Sequence, residues 1–597
     1  MATKLLMGNE AIALGAIRAG VQVVSGYPGT PSTEVLETVA KNNPGDIYVE
    51  WSVNEKSAME VAAGAAYAGA RSMVTMKQVG LNVASDPLMS LEYVGVKGGM
   101  VVMVADDPGP ISSQTEQDTR HFAHFSKLPV FDPSSPEEAY QMIGDAFAYS
   151  EKYGTPVLFR PTTRVCHGCA SIEVEDVREQ HPAQGFVKDS SRWVIFPKLS
   201  YQNHLKIEKR QQVLSEDFSS YRYNICSGEG KKGIVSGGVS YAYTCEALQG
   251  CEKPYKLLKV STPYPFPECL ALGFLDGLEE VLVVEELDPV LERELVYLCG
   301  KHHLPVRVRG KLTGDMPQAG ENTVELVKTA IAKFLGYSLP QPEEAELPSL
   351  PIRPPVLCAG CPHRASFYAV KQAMKGKKAV FSGDIGCYTL GNAQPLDMVD
   401  TCLCMGAGIT IAQGLHRVEP DAVNFAFVGD STFFHTGIPG VINALYNETD
   451  IVLVVLDNST TAMTGHQPHP GTGKTMMGEI SQKVDIAAIL EAVGVKCIRK
   501  ANPLHLEEAK EAIREAAAFR GVSAVIFESP CIAVTKPAQI LRVDTEKCTG
   551  CKRCIRELGC PAMSVKDGKA LIDPSTCYGC TICAQVCPFD AIGGVQE

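Results

Sequence analysis

Residues 422–430 read AVNFAFVGD, residues 450–458 read DIVLVVLDN, and these two stretches decide the fold. Each is a run of Val, Ile, Leu and Phe that ends on Gly, Asp or Asn. Strands of this composition are buried on both faces, as they are in parallel sheets covered by helices. The two stretches therefore predict an α/β protein in which they form parallel strands with a helix between them.

Similar apolar stretches precede this pair and divide the chain. Three lie near the amino terminus (VQVVSGYP, SMVTMK and GGMVVMVAD), and KKGIVSGGVS and EEVLVVEE follow, with the helical pattern TVELVKTAIAKFLG after them. The pattern predicts three α/β units, two connecting segments and a cysteine-rich tail. In chain order these are 1–181 (first unit), 182–230 (polar linker or embellishment), 231–337 (second unit), 338–355 (linker rich in Pro and Glu), 356–537 (third unit) and 538–597 (tail).

The composition argues against several classes of protein. Of 597 residues, 45% are hydrophobic and 21% are charged, which is typical of a globular chain. The net charge of −13 disfavours a nucleic-acid partner. We find no apolar run near the ~18 residues that a membrane span needs, and no signal-peptide pattern. Because 22 cysteines occur without a secretion signal, we expect a reducing, anaerobic cytoplasm and cysteines that bind metal.

Polar residues follow both strands of the deciding pair. Asp430 ends the first strand, in Gly429-Asp430-Ser431, and Asn458 ends the second. Ligands collect at the carboxyl ends of parallel strands, and a carboxylate, an amide oxygen and the carbonyl of Thr460 suit Mg²⁺. The helix after Asp430 would direct its amides at phosphates. This layout indicates a thiamine diphosphate site; a plain turn is the alternative interpretation of a Gly-Asp pair.

The tail carries two cysteine runs, CTGCKRCIRELGCP (548–561) and CYGCTICAQVCP (577–588). The second has the spacing and trailing proline of bacterial ferredoxins, and the first differs by a longer last gap. In two-cluster ferredoxins the fourth cysteine of each run binds the other cluster. Zinc knuckles are the alternative. We predict one [4Fe–4S] cluster on Cys548, Cys551, Cys554 and Cys587 and a second on Cys577, Cys580, Cys583 and Cys560.

A thiamine cofactor needs a carboxylate against its aminopyrimidine ring. The candidate is Glu55 in EWSVNEKSAMEVAAGAAYAGAR, because it follows a strand and begins a helix of small residues that permits close approach. Glu50 and Glu60 are nearby alternatives. A glutamate at a helix start is otherwise a common partner of the helix dipole.

Several longer motifs extend the argument to almost the whole chain. They are SGYPGTPSTEV, NEKSAMEVAAGAAYAGAR, MKQVGLNVASDPLM, CAGCPHRASF, GDIGCYTLG, DTCLCMGAGI, VGDSTFFHTGI and DNSTTAMTGHQPHPG. With the tail, they resemble the 2-oxoacid:ferredoxin oxidoreductases, in particular the large (alpha) subunits of the indolepyruvate branch. The resemblance implies that the three α/β units are a pyrimidine-binding domain, a transketolase C-terminal-like domain and a diphosphate-binding domain, followed by a two-cluster ferredoxin domain.

The same resemblance implies roles for individual residues. Glu55 occupies the place of the glutamate that contacts the pyrimidine. Thr30 in YPGTPS resembles the threonine that helps to hold the substrate carboxylate, and Arg120 in TEQDTRHFA resembles the arginine that pairs with it. His466 in MTGHQ could face the reacting carbon. The alternatives are a surface ion pair for Arg120 and a structural hydrogen bond for His466.

The resemblance also implies a third, proximal [4Fe–4S] cluster beside the cofactor. Its ligands would be Cys358, Cys361, Cys387 and Cys531. Cys402 or Cys404 could replace one ligand, and buried thiols without metal are the competing interpretation. Asp384 and Gly386, in GDIGCYTLG, are expected to contact the cofactor.

Together these features imply the oxidative decarboxylation of aryl 2-oxoacids to acyl-CoA and CO₂, with thiamine diphosphate, Mg²⁺, coenzyme A and ferredoxin. No stretch is left for the gamma domain of relatives, so we expect a separate small beta subunit and an (αβ)₂ assembly. The alternatives are the same chemistry on pyruvate or branched 2-oxoacids, a non-redox thiamine-dependent decarboxylase, and an electron-transfer subunit with an inactive thiamine site.

Overall fold

A computed structural model describes residues 2–339, 348–479, 482–537 and 539–594. The chain divides into two compact units, Met1–Glu346 and Leu347–Glu597. Residues 340–347 of the predicted linker 338–355 lie outside the described residues. Among the helices that the structure describes, none is long and apolar enough to cross a membrane.

The first unit begins with a six-stranded parallel sheet, and the three predicted amino-terminal strands are neighbours in it. In spatial order the strands are Tyr48–Trp51, Val23–Gly26, Ser72–Lys77, Met100–Ala105, Val157–Phe159 and Val130–Phe131. The helices before, between and after them are Gly8–Arg18, Thr33–Lys41, Glu55–Tyr67, Gln78–Val83, Ser85–Val94, Arg120–Ser126, Pro136–Tyr153 and Thr163–His167. A separate antiparallel pair joins Ala2–Met7 to Cys169–Val174.

A second sheet of five strands completes the first unit. Its order is Arg307–Arg309, Glu280–Val284, Lys232–Ser236, Lys256–Lys259 and Ile225–Gly228, and the last strand is antiparallel. Its helices are Val239–Ala247, Glu268–Leu275, Val290–Lys301 and Val324–Leu335. The predicted closing helix is thus confirmed.

The segment 182–230, expected to be irregular, contains regular structure. A short helix spans Ser190–Trp193, and a helix of 23 residues spans Pro197–Ser219. The long helix buries only Ile207, Leu214 and Phe218. These three side chains form a narrow apolar stripe that holds the helix against the unit. The rest of its sequence can therefore be polar.

The second unit is built on a five-stranded parallel sheet and confirms the fold predicted from the deciding pair. The order is Ala379–Ser382, Val423–Gly429, Ile451–Asp457, Val522–Glu528 and Cys497–Ala501, so the two deciding strands are parallel neighbours. The helices are Pro362–Ala373, Ala407–Val418, Asp430–Thr432, Ile438–Tyr446, Ile486–Val493 and Leu506–Ala518, and a π-helical turn, Phe433–Gly437, joins the third to the fourth. Such turns are frequent at functional sites.

The cysteine-rich tail packs on this sheet domain within the second unit. It has two antiparallel pairs, Leu541–Val543 with Ile592–Gly594 and Met563–Lys566 with Lys569–Ile572, and two short helices, Arg553–Leu558 and Ile582–Val586. Leu558, Ile582 and Val586 belong to the same apolar core as Phe367 and Ile513 of the sheet domain. This shared core holds the tail in place.

Candidate active site and iron–sulfur centres

The carboxyl edge of the six-stranded sheet gathers the first set of candidate residues. Glu55 begins a helix directly after the strand Tyr48–Trp51, and Lys77 ends the strand Ser72–Lys77. Thr30 follows the strand Val23–Gly26, which lies between those two. Since all three strands are parallel, their following residues meet at one edge of the sheet.

Glu55 is buried, with 6% of its surface exposed. Asn54 caps the helix, since its side chain accepts a hydrogen bond from the amide of Ser57 at 2.9 Å. Gly80 approaches the Glu55 carboxylate so closely that a Cβ there would lie 2.6 Å from Oε1. Glu60, by contrast, is exposed, and Glu50 is bound by the hydroxyls of Tyr48 and Ser52. The structure thus distinguishes Glu55 from both alternatives by its burial and its contact with Gly80.

Thr30 belongs to a loop that neighbouring residues hold tightly. The amide of Gly29 donates to Thr33 Oγ1 at 3.0 Å, and Asn9 Nδ2 donates to the carbonyl of Pro31 at 2.7 Å. The hydroxyl of Ser32 donates to the carbonyl of Gly29 at 2.8 Å. Thr30 itself is partly exposed, and its hydroxyl has no protein partner in the described part of the chain. The loop therefore offers a positioned hydroxyl.

Arg120, which the resemblance assigns to the substrate carboxylate, is bound by protein groups in the structure. Its Nε and Nη2 donate to the carboxylate of Asp118, and Nη1 donates to Glu285 Oε2 at 2.8 Å. Nη2 also donates to the carbonyls of Glu286 and Asp288. The guanidinium is buried and carries a pKa raised far above its ordinary value by these carboxylates, against the opposing effect of burial. It joins the two sheets of the first unit, and its charge is already neutralised.

In the second unit, Asp430 and Asn458 lie at the carboxyl ends of adjacent parallel strands, and both are buried. Asp457 is close enough to Asp430 that burial and this neighbouring carboxylate raise the pKa of Asp457 to about 6. The hydroxyl of Thr460 is buried without a partner among the described residues. Two adjoining carboxylates, an amide and an unsatisfied oxygen are a donor set that fits a hard divalent cation such as Mg²⁺.

Two buried histidines, which the sequence analysis did not identify, form hydrogen bonds with Asp430 and Asn458. His469 Nε2 donates to Asp430 Oδ2 at 3.1 Å, and Asn458 Nδ2 donates to His363 Nε2 at 3.1 Å. Burial opposes ionisation of Asp430, but the bond from His469 outweighs it and lowers the pKa of that carboxyl. Burial lowers the pKa of His363 to about 4, which keeps its ring neutral and able to accept. The predicted His466 is exposed instead, three residues before His469.

Asp384 organises the loops around these strand ends. Its carboxylate accepts from the amide of Gly406 at 2.8 Å and from the hydroxyl of Tyr388 at 3.1 Å. Burial raises the pKa of Asp384 to about 6. The side chain of Tyr388 lies against Gly386 and Gly429, where a Cβ would come within 2.6 Å of its ring and 2.3 Å of its hydroxyl oxygen, respectively. Gly386 and Gly429 thus permit the close packing that shapes the predicted cofactor pocket.

The four thiols predicted to hold the proximal cluster come together from separate segments. They are Cys358 and Cys361 before the helix Pro362–Ala373, Cys387 after the strand Ala379–Ser382, and Cys531 after the strand Val522–Glu528. Burial raises the pKa of Cys387 to about 11, and the charges of Cys531 and Cys358 add to the effect. Cys402 and Cys404 are exposed and interact with Asp384.

The tail groups its eight cysteines in the crossed pattern. Cys548, Cys551, Cys554 and Cys587 line one open pocket. In the second group, Cys560, Cys577 and Cys580 all act on the pKa of Cys583, which burial raises to about 12. Among the described residues, no three His, Cys, Asp or Glu side chains converge closely enough to bind a single metal ion. Four thiols in each group is the ligand number of a [4Fe–4S] cluster.

Arg364 and Gly360 connect the CAGC turn to the tail. Arg364 donates to the carbonyls of Leu558 and Gly559, directly before Cys560, and its charge acts on the thiols of both Cys361 and Cys580. Its Nε is buried without a partner in the described part of the chain. A Cβ on Gly360 would lie 2.4 Å from the Cβ of Tyr578. The predicted proximal and second thiol groups are thus direct structural neighbours.

Comparisons with known proteins agree with this arrangement. Residues 14–202 match the thiamine-binding domain of pyruvate flavodoxin/ferredoxin oxidoreductases, residues 384–527 match the C-terminal TPP-binding domain of thiamine pyrophosphate enzymes, and residues 540–591 match a 4Fe-4S dicluster domain.

Proteins named indolepyruvate oxidoreductase subunit IorA are similar over nearly the whole chain. That of Methanothermobacter thermautotrophicus is 43% identical over 98% of this chain and 96% of its own. Those of Archaeoglobus fulgidus and Thermococcus kodakarensis are both 42% identical, over 98% and 99% of this chain and 97% of their own.

Proposed function

Because the chain belongs to the family of indolepyruvate oxidoreductase IorA subunits, we propose that it converts aryl 2-oxoacids, indolepyruvate among them, to acyl-CoA and CO₂. It is a thiamine diphosphate-dependent, iron–sulfur 2-oxoacid:ferredoxin oxidoreductase. Each turnover consumes one 2-oxoacid and one coenzyme A, releases CO₂ and a proton, and reduces two one-electron ferredoxins. The observation that best supports the proposal is the contact between the CAGC turn and the ferredoxin-like tail. This contact places the thiamine-binding domain next to an electron carrier.

Residues of the second unit would hold the diphosphate end of the cofactor. Asp430, Asn458 and the carbonyl of Thr460 would bind Mg²⁺, which would supply positive charge for the diphosphate. Gly429 and Ser431 would contact the diphosphate at the start of the helical segment after Asp430. Bound thiamine diphosphate supplies the nucleophilic carbon and the electron sink for decarboxylation.

Other residues would act on the cofactor or the substrate. The buried Glu55 would keep a proton on the aminopyrimidine ring, and its contact with Gly80 fixes the carboxylate for that purpose. The hydroxyl of Thr30 would donate to the substrate carboxylate. Asp384 and Gly386 would shape the pocket wall, as their contacts with Gly406 and Tyr388 support.

Three groups of thiols would hold [4Fe–4S] clusters in an order that suits a relay. The proximal group is Cys358, Cys361, Cys387 and Cys531; the next is Cys560, Cys577, Cys580 and Cys583; the last is Cys548, Cys551, Cys554 and Cys587. Arg364 lies between the first two groups, and the charge of Cys554 acts on Cys583 between the second and third. Cys551 of the last group is exposed, where a soluble ferredoxin could accept electrons.

The partners of this chain follow from the same proposal. A small beta subunit would supply the gamma-like domain, and the assembly would be (αβ)₂. Ferredoxin would be the electron acceptor, and coenzyme A the acyl acceptor.

The test uses the full chain purified without oxygen, with and without the small subunit. Thiamine diphosphate, Mg²⁺ and coenzyme A are added with indolepyruvate, phenylpyruvate, pyruvate or 2-oxoglutarate, and reduction of ferredoxin and formation of thioester are measured. We expect both products from the aryl substrates, in a ratio of two reduced ferredoxins to one thioester. Aldehyde release without ferredoxin reduction would instead indicate a non-redox decarboxylase. A preference for pyruvate or 2-oxoglutarate would overturn the aryl specificity.

A further inference from the structure

A 2-oxoacid carries a carboxylate beside its reacting carbon, and a buried site needs a cation to receive it. Among the described residues, the cations that lie wholly or partly buried at the carboxyl edge of the six-stranded sheet include Arg120, Arg160 and Lys77. Arg120 is neutralised by Asp118 and Glu285, as described above. Its guanidinium is therefore not available to a ligand.

Arg160 is also neutralised by buried carboxylates, while its Nη2, which lies 3.9 Å from Asp118 Oδ1, has no hydrogen-bond partner in the described part of the chain. Its Nε donates to Asp106 at 2.7 Å, and its Nη1 donates to Asp132 at 3.2 Å. All three side chains are buried. Releasing Arg160 to a substrate would leave the buried carboxylates of Asp106 and Asp132 without their paired positive charge, which is strongly unfavourable.

Lys77 differs from both arginines. Its Nζ has no carboxylate within ion-pairing distance in the described ranges, and its hydrogen bond is a long one, 3.4 Å to the carbonyl of Ser112. Burial lowers the pKa of Lys77, and the nearest counter-charges, Asp107 and Glu55, only partly oppose that effect. Asp107 is occupied by the amide of Ser112 and the hydroxyl of Thr163. A partly exposed ammonium without a carboxylate partner is a candidate for binding an anion.

The position of Lys77 also suits the substrate. Lys77 is the last residue of its strand, level with Ala105 of the neighbouring strand. Its aliphatic stem passes over Gly29, where a Cβ would lie 3.1 Å from Lys77 Cγ. Gly29 directly precedes Thr30, so the stem of Lys77 contacts the loop that carries the Thr30 hydroxyl.

We propose that Lys77 binds the carboxylate of the 2-oxoacid together with the hydroxyl of Thr30, in the role expected of Arg120. The inference rests on the proposed 2-oxoacid chemistry and specifies a residue that recognises the substrate. The competing role is that of a counter-ion for Glu55. That role predicts an effect on the cofactor, whereas carboxylate binding predicts an effect on the substrate.

The test compares Lys77→Met and Lys77→Arg with Lys56→Met in anaerobic, cofactor-loaded enzyme. Lys56 is a matched control, since it is an exposed lysine of the same edge, paired with Glu60. For Lys77→Met we expect KM for phenylpyruvate to rise about 10- to 100-fold, the loss typical of one charged hydrogen bond, with thiamine diphosphate affinity unchanged. Lys77→Arg should restore part of the loss, and Lys56→Met should match the wild type.

A second measurement separates this inference from the proposed function. Binding of 3-phenylpropanoate, which lacks the keto group and cannot react, is compared with binding of its neutral amide. Lys77→Met should weaken the acid and leave the amide unchanged. Equal binding of the acid to both proteins, or weaker thiamine diphosphate binding with unchanged KM, would overturn the assignment even if the wild type oxidises 2-oxoacids. Circular dichroism is used to check that each variant is folded. If Lys77→Met does not fold, Lys77→Gln is used in its place.

Discussion

Gly360 and Tyr578 are in direct contact, because a Cβ on Gly360 would lie 2.4 Å from the Cβ of Tyr578. Gly360 lies in the CAGC turn and Tyr578 in the CYGC turn of the tail. The first turn carries thiols of the proposed proximal cluster, and the second carries thiols of the next one. The absence of a side chain at Gly360 therefore sets how closely these two centres approach.

Gly360→Ala should force the two turns apart and slow electron transfer into the tail. The left-handed backbone, with φ of +81°, adds a strain of about 1–2 kcal/mol. The matched control is Gly376→Ala, which has the same φ of +81° but open space around it. Freeze-quench EPR after mixing with substrate should show slower reduction of the tail clusters in Gly360→Ala than in Gly376→Ala. Equal rates would show that the contact does not limit the transfer.

Gly80→Ala should abolish decarboxylation by displacing the Glu55 carboxylate, which a Cβ would meet at 2.6 Å. Loss of a positioned acid–base group costs about 10²–10⁴ in rate. The variant is compared with Gly64→Ala, which changes a helical glycine with nothing within 4 Å. We expect single-turnover CO₂ release to be lost in the first variant and retained in the second. Retained CO₂ release in Gly80→Ala would mean that Glu55 does not need its present position.

The crossed arrangement of tail cysteines can be tested with pairs of substitutions. Cys548→Ala with Cys587→Ala removes two ligands of one proposed cluster, so about four irons should be lost. Cys548→Ala with Cys560→Ala removes one ligand from each cluster, so up to about eight should be lost. Iron content and EPR intensity of the anaerobic protein provide the measurement. The reverse order of losses would indicate that each run binds its own cluster.

Arg364→Gln should lower the midpoint potential of the cluster held by Cys560, Cys577, Cys580 and Cys583. The guanidinium is buried and acts on Cys580, and a positive charge stabilises the reduced, more negative cluster. EPR-monitored redox titration measures the change. Arg520→Gln is the control, because Arg520 is 91% exposed in the same unit. An unchanged potential in Arg364→Gln would limit this residue to anchoring the tail through Leu558 and Gly559.

Glu286 makes the first unit sensitive to pH. Burial raises the pKa of Glu286 to about 7, above the value of an unfolded glutamate. Its contribution to stability is therefore present at low pH and is lost as pH rises through about 7. Glu286→Gln should become more stable relative to wild type between pH 5 and pH 8, by up to about 1.4 kcal/mol per pH unit below 7. Thermal unfolding at each pH is compared with the exposed control Glu229→Gln, for which no such trend is expected.

The sequence by itself determined the α/β fold, the pairing of the two deciding strands and the ferredoxin-like tail. These features depend on local patterns, since an apolar run between Gly and Asp specifies a buried strand wherever it lies. Cysteine spacing is similarly local, because the turn between two ligands has to follow the surface of a cluster.

Tertiary structure decided what the charged and polar residues do. Arg120 pairs with Glu285, 165 residues away, and no local pattern reveals such a partner. His469 reaches Asp430 while the nearby His466 is exposed, and Asp457 lies beside Asp430 because their strands are neighbours. The long polar helix Pro197–Ser219 is held by three buried side chains. Desolvation and charge pairing depend on which distant segments surround a residue, and only the folded chain brings those segments together.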